Sequence, residues 1–419
     1  MKRLDKPDLI QDVYEKLKTT WGNLDRTDPD KKWLVEPALI YFKQAYEGMK
    51  QGKPMLWYFI GLPPEIFRAM DIAIICPEFA CAVVASLGMA RKYLEIAEAH
   101  ITQEFCAANK FPAGLAFSSD TKLPDMVVYA PAHPCDAAST VYANMHYALK
   151  VPSFYLDLPY TVDDRAVKYV AKELRNLITF MEEHTNQKFN WDRLREVIEY
   201  SNQALVYTTK INELKKIVPS PLSTRSAFVI GAAMLGLAGA PELPEYFRNQ
   251  YEIAREKAEK GQGGIPNEKV RCVWIHAGFD FDNSIFDWLE SKYGAVAVAR
   301  LWHMVLPQPI NNTGSETEML EGISSRTLRF PMARQGRGPV SDFIDECISV
   351  ARDYKADAII SAGNSGCRYH WAIVQLVKDK VHDELGIPIL SFEMSQWDSR
   401  VASTETVKTI FDQFFESLD

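Results

Sequence analysis

Seven cysteines lie at positions 76, 81, 106, 135, 272, 347 and 367 of the 419-residue chain. Cys367 closes the stretch ADAIISAGNSGC (356–367), in which the apolar run 358–360 is long enough for a buried parallel strand and gives way to small and polar residues. A helix-patterned segment, 371–381, follows. A cysteine between a strand and a helix sits where open α/β sheets place their ligands, outside the carboxyl ends of the strands. Cys135 follows a second strand-like run, 126–130, and Cys106 lies in the loop before it. Three thiolates from separate segments suit an iron–sulfur cluster or zinc, and three rather than four leave one metal position open, as a catalytic site requires. Buried cysteine is more often simply a small apolar residue. Cys81, Cys272 and Cys347, inside helix or strand patterns, take that reading, and Cys76 fits either.

Other chemistries are excluded by what is missing. No G-x-x-x-x-G-K-[ST] is present, no G-x-G-x-x-G follows a strand pattern, and G-x-S-x-G and H-x-x-x-H do not occur. Hydrolysis of ATP on a P-loop and a standard dinucleotide fold are therefore not expected. The odd cysteine count and the absence of a secretory signal favour thiols or metal ligands over a disulfide framework. The N-terminus, MKRLDKPDLIQDVYEKL, lacks the apolar core of a signal peptide, and the longest low-polarity run, 227–241, is too short to span a bilayer. That run, rich in Gly and Ala, reads as a tightly packed internal helix. A cytoplasmic protein is expected. The net charge of −8 argues against nucleic acid or an anionic membrane as the main partner, while leaving room for a local basic pocket.

The elements that must position the cysteines follow from periodicity. At this length two or three domains are expected. Residues 1–50 read as an N-terminal helical segment, with amphipathic stretches at 9–21 and 33–49. Residues 51–160 alternate strand patterns (55–60, 72–75, 126–130, 154–158) with helical ones, among them 80–99, which is the signature of a parallel sheet. Residues 161–262 are helical only. Val167, Val170, Ala171, Leu174, Leu177 and Ile178 share one helical face, with Thr161 and Asp164 as a capping-box-like start and Asn190 capping the next helix. GQGGIP (261–266) reads as a linker. Alternation resumes over 263–419, with strands at 270–275, 295–299, 358–360 and 387–392. The prediction is two Rossmann-like or flavodoxin-like α/β lobes around a central helical segment, without an internal sequence repeat.

Several stretches in this order resemble the 2-hydroxyacyl-CoA dehydratase and benzoyl-CoA reductase family. They are GKPMLWYFIGLPPEI, CPEF, EFC, LPDMVVYAPAHPCD, PSPLS (219–223), NSGCRYH and GIPILSFEMSQWDSRV. The resemblance runs from about Gly52 to the C-terminus, and the Asp-x-Arg ending favours the α-type, D-component subunit. It implies a [4Fe–4S] cluster held by Cys106, Cys135 and Cys367, with the fourth iron free for water, hydroxide or a substrate oxygen. It also implies a related second subunit in a heterodimer and a separate ATP-dependent iron–sulfur activator that injects one electron. The expected activity is reversible removal of water from a 2-hydroxyacyl-CoA, giving an enoyl-CoA. An arylthioester reductase of the benzoyl-CoA type is the alternative enzyme. A non-catalytic electron-relay or partner subunit and a zinc-stabilised α/β protein stand as further alternatives.

The electron has a chemical reason. The proton to be lost sits on the unactivated β carbon, and general acid–base catalysis supplies typically about 10²–10⁴-fold, too little for it. One electron on the thioester carbonyl makes a ketyl radical anion that expels the α-hydroxyl and leaves a far more acidic β proton. By the resemblance Glu78 is the candidate base; equally, it reads as an acidic residue favoured by a helix N-terminus. Asp398 and Arg400 read as a local salt bridge. Asn364, Ser365 and His370 read either as donors tuning a cluster or as solvated loop positions. Where dehydratases of the family can carry a serine near the open iron, this chain has Ile60, which raises the reductase alternative. The cleft between the lobes is the default site for the acyl-CoA.

Overall fold

The computed structural model describes residues 8–27, 29–130 and 135–418. Parts of the expected N-terminal segment (1–7 and 28) and of the PAHPCD stretch (131–134) lie outside the described residues. Helices α1 (Leu9–Thr27) and α2 (Glu36–Lys50) lead into β1 (Met55–Tyr58), α3 (Pro64–Arg68), β2 (Ala73–Ile75), α4 (Pro77–Ser86), α5 (Arg91–Glu98), α6 (Ala107–Ser118), β3 (Met126–Tyr129), α7 (Asp136–Leu149) and β4 (Ser153–Tyr155). Four helices follow without a strand: α8 (Asp164–Thr185), α9 (Trp191–Leu214), α10 (Thr224–Leu237) and α11 (Leu243–Glu259). The second α/β region holds β5 (Val270–Trp274), α12 (Ser284–Tyr293), β6 (Ala295–Arg300), α13 (Glu316–Leu328), α14 (Pro331–Arg337), α15 (Val340–Asp353), β7 (Ala358–Asn364), α16 (Arg368–Leu385), β8 (Ile389–Met394) and α17 (Thr404–Glu416).

Both sheets are parallel and wound alike. The first runs β2-β1-β3-β4 and the second β6-β5-β7-β8, so each has its switch point beside its first strand in sequence. The topology repeats although no sequence repeat is visible. Period-2 alternation explains how the second sheet is covered. Cys272 and Trp274 of β5 and Ala358, Ile360 and Ala362 of β7 face one apolar cluster, while Val273 and Ile359 face another. Every residue of β1 is buried, as expected of a strand covered on both faces.

Local chemistry sets the helix boundaries, with some differences from expectation. Asn190 caps α9 by accepting from Arg193 N. The cap of α8 is Asp163, which accepts from Ala166 N, and not the Thr161–Asp164 pair. The span expected as one helix over 80–99 is two, α4 and α5, separated by a turn at 87–90. The fourth strand is shorter and earlier than 154–158, and β7 runs on through the small residues to Asn364 because each of 361–364 pairs with β8. GQGGIP is not a free tether, since Gly264 N donates to Ser220 O (2.7 Å).

Helix α10 is the spine between the lobes, and its glycines allow the fit. A Cβ at Gly236 would lie 2.6 Å from the Phe79 ring of the first lobe, and one at Gly231 would lie 2.2 Å from His303 Nδ1 of the second. The Gly- and Ala-rich run is therefore a close-packing surface, and no described helix is long and apolar enough to cross a membrane.

Candidate active site

Four cysteines stand at the N-caps of four helices: Cys76 before α4, Cys106 before α6, Cys135 before α7 and Cys367 before α16. An N-cap sits where unsatisfied backbone N–H groups and the helix dipole favour negative charge. Three of them, Cys106, Cys135 and Cys367, line one cavity of about 550 Å³; Cys76 does not. The cavity is bounded by both lobes and by α10, outside the carboxyl ends of both sheets as the doubly wound rule requires.

The three thiols border a common space. Cys135 Sγ accepts from Ala138 N (3.5 Å) and from Asn109 Nδ2 (3.7 Å), so the α6 and α7 termini meet at it. Gly366, with φ of +73°, lets the Cys367 loop pass within contact of the Cys106 loop: a Cβ there would lie 2.2 Å from Glu104 O and 3.3 Å from Cys106 N. Burial pushes all three thiols up, Cys367 to about 12, and the backbone N–H groups of each helix terminus only partly offset this. A charge on Cys106 raises both other thiols further, which reflects their proximity. Only added positive charge makes such a trio thiolate at neutral pH. Three soft donors, each half-buried and facing one space, fit an iron–sulfur group in chemical type. Among the described residues no three Cys, His, Asp or Glu close on the spacing of ligands around one ion.

Glu78 occupies the first turn of α4 and is buried at the cavity wall. Its Oε1 accepts from the Tyr142 hydroxyl (3.0 Å), and its Oε2 accepts from Ile60 N (3.3 Å) and from the Cys76 thiol (3.4 Å). Burial pushes the carboxyl up to about 7, the hydrogen bonds resisting. Of its two readings, the solvated surface glutamate does not hold. Cys76 is resolved as well: it is buried behind Glu78 and steadies it. Ile60 lines the cavity, and its contribution to Glu78 comes from the backbone, not from a hydroxyl.

The second lobe adds residues that motif reading missed. His276 follows β5, Arg300 ends β6, and Gln396 follows β8, all buried and all lining the cavity. Arg300 donates to His276 O (3.1 Å) and Gln396 Oε1 (3.0 Å) and contacts His303 Nε2 (3.0 Å). A signal for them existed: each is a polar residue at the carboxyl end of an apolar strand. Asn364 and His370 are buried rather than solvated. Asn364 Oδ1 accepts from Gln396 N (2.8 Å), and burial lowers His370 to about 4, keeping it neutral. The Asp398–Arg400 pair is not only local, because Arg400 also reaches Glu98 (2.7 Å), which holds Lys110 (2.8 Å) and so ties the two lobes. Cys81, Cys272 and Cys347 are buried in apolar clusters, as expected.

A family model described as "2-hydroxyglutaryl-CoA dehydratase, D-component" matches residues 59–418. The chain belongs to this family. Among D-component relatives, it is 21% identical to the lactoyl-CoA dehydratase alpha chain of Anaerotignum propionicum, over 92% of this chain and 96% of that one. It is 22% identical to the (R)-phenyllactyl-CoA dehydratase alpha subunit of Clostridium sporogenes, over 88% and 91%. A benzoyl-CoA reductase polypeptide of Thauera aromatica is 21% identical over 71% of both chains. The relatives thus span both expected chemistries.

Proposed function

We propose that this chain is the cluster-bearing subunit of a 2-hydroxyacyl-CoA dehydratase, with Cys106, Cys135 and Cys367 as the ligands of a [4Fe–4S] cluster. The single observation that carries the reading is the meeting of three N-cap thiols and the buried Glu78 on one inter-lobe cavity. The bound cluster would supply one low-potential electron and an open iron to a substrate oxygen, the electron arriving from a separate ATP-dependent activator.

The chain's own residues do the rest. The cavity between the lobes takes the acyl thioester and, walled by Phe79, Phe228, Trp302 and Trp397, keeps water from it. Glu78, near pH 7 already half in the carboxylate form, receives the β proton. Tyr142, Cys76 and the Ile60 backbone hold its two oxygens in place. Relatives named as alpha subunits support a related second polypeptide in the assembly, and the reading carries with it a cytoplasmic location.

One observation favours a second reading, reduction of an aromatic acyl-CoA. Ile60 brings no hydroxyl to the cavity, whose wall is largely aromatic, and a benzoyl-CoA reductase polypeptide is among the relatives. The test is anaerobic purification with the partner subunit, iron and sulfide analysis, then a panel of 2-hydroxyacyl- and aroyl-CoA thioesters with the activator present. Catalytic release of enoyl-CoA is expected. Stoichiometric electron consumption by aroyl thioesters alone would replace the dehydratase with the reductase, and a folded, iron-free protein would end both.

A further inference from the structure

The first lobe offers the cavity one carboxyl, Glu78, and the second offers another. Asp280, on the loop after β5, lines the same cavity and is half-buried there. Its Oδ2 accepts from Gln396 Nε2 (2.5 Å). Gln396 is itself held at three points: its backbone N donates to Asn364 Oδ1 (2.8 Å), and its Oε1 accepts from Gly278 N (3.0 Å) and from Arg300 (3.0 Å). A side chain so fixed presents Asp280 in one orientation. Burial pushes its carboxyl up to about 6, with the Gln396 hydrogen bond and the Arg300 charge pulling it back. Asp280 and Glu78 both act electrostatically on the buried thiol of Cys81, which sets Asp280 against the helix that carries Glu78.

Loss of water from a 2-hydroxyacyl group needs two proton transfers at different atoms. The β carbon must give up a proton, and the hydroxyl leaves far more readily as water than as hydroxide. Two carboxyls with different surroundings on one cavity are the arrangement that divides such roles. Building on the dehydratase reading, we propose that Asp280 is the catalytic residue that protonates the departing hydroxyl. The C–O bond breaks with its electron pair on oxygen, the Asp280 proton joins that oxygen, and water leaves. The β proton goes to Glu78, and the C–H pair stays in the acyl group as the new double bond. No net oxidation occurs, and exchange with solvent returns Asp280 to its acid form and Glu78 to its carboxylate.

The test exploits the leaving group. In the assembled, reduced enzyme, a 2-hydroxyacyl-CoA is compared with its 2-chloro analogue, because chloride departs without a proton. Asp280→Asn keeps the size of the side chain and an acceptor for Gln396. It is expected to lower kcat on the hydroxy substrate by about 100-fold or more, the scale of a lost general acid, and to leave the chloro substrate little changed. Glu78→Gln is expected to slow both. Asp280→Glu, which retains a proton to give, is expected to fall between and serves if the Asn variant does not fold. Equal losses on the two substrates, or none on the hydroxy substrate, overturn the proposal alone. A wild-type enzyme that eliminates from neither substrate overturns the dehydratase reading, and the role of Asp280 with it.

Discussion

The Tyr142 hydroxyl donates to Oε1 of Glu78 across 3.0 Å inside the first lobe, joining the N-terminal turn of α4 to the middle of α7. Because α7 begins at Cys135, the proposed base and a proposed cluster ligand are carried on one rigid unit. The bond favours the carboxylate, so it works against the burial that raises Glu78 to about 7. Tyr142→Phe is therefore expected to raise the Glu78 pKa by roughly half to one unit, the scale of one hydrogen bond of about 1 kcal/mol. The acidic limb of the pH–kcat profile should move up by that amount. An unmoved limb with reduced kcat would show that Glu78 is not the titrating group.

Substitution of the cysteines separates ligands from neighbours. Cys106→Ala, Cys135→Ala and Cys367→Ala are each expected to lose iron, sulfide and visible absorbance, since each removes one of three thiols facing the cavity. Cys76→Ser should keep them, because that thiol is buried behind Glu78 and donates to it. Cys76→Ser losing as much iron as Cys367→Ala, or Cys135→Ala retaining it, would sink the assignment.

Much of this was legible in the sequence because two codes are short-range. Strand patterns alternating with helical ones gave both lobes, and cysteines placed just after strands gave the thiol wall of the site. The second wall was not legible for a physical reason. Arg300, His276 and Gln396 acquire their meaning only when β6, β5 and β8 are ordered side by side, and that order is a long-range fact. Burial was hidden too: Asn364 and His370 look like solvated loop residues until β7 pairs through Asn364 with β8. The Arg400 bridge to Glu98 joins positions 302 residues apart, beyond the reach of any local pattern.

That bridge predicts an acid-sensitive union of the lobes. Burial pushes Glu98 and Asp398 up, yet hydrogen bonds from Arg400, and from Lys110 to Glu98, outweigh it and leave both below their ordinary values of 4.5 and 3.8. Folded values below unfolded ones mean stabilisation that is complete at neutral pH and lost as pH falls through the folded values. Arg400→Met should cost roughly 1–3 kcal/mol at pH 7, less than a fully buried pair because the guanidinium is partly exposed. The deficit relative to wild type should shrink below about pH 4. Denaturant melts at the two pH values decide it, and a pH-independent deficit would show that lost packing, not charge, is responsible.

Glu78 supplies the opposite sign. A carboxyl whose folded value is about 7 against an ordinary 4.5 is bound to its proton more tightly in the native state. The native state therefore loses stability as pH rises from about 4.5 toward 7, and the loss is complete above the folded value. Converted at about 1.4 kcal/mol per pH unit, the penalty is on the order of 2–3 kcal/mol at pH 8. Glu78→Gln, neutral at every pH and close in size, is expected to melt higher than wild type at pH 8 and to show little advantage at pH 5. It should do so while eliminating catalysis, because the group that weakens the fold at high pH is the one proposed to receive the β proton. A variant no more stable than wild type at pH 8 would mean that Glu78 ionises without strain, and that its burial is not what poises it as a base.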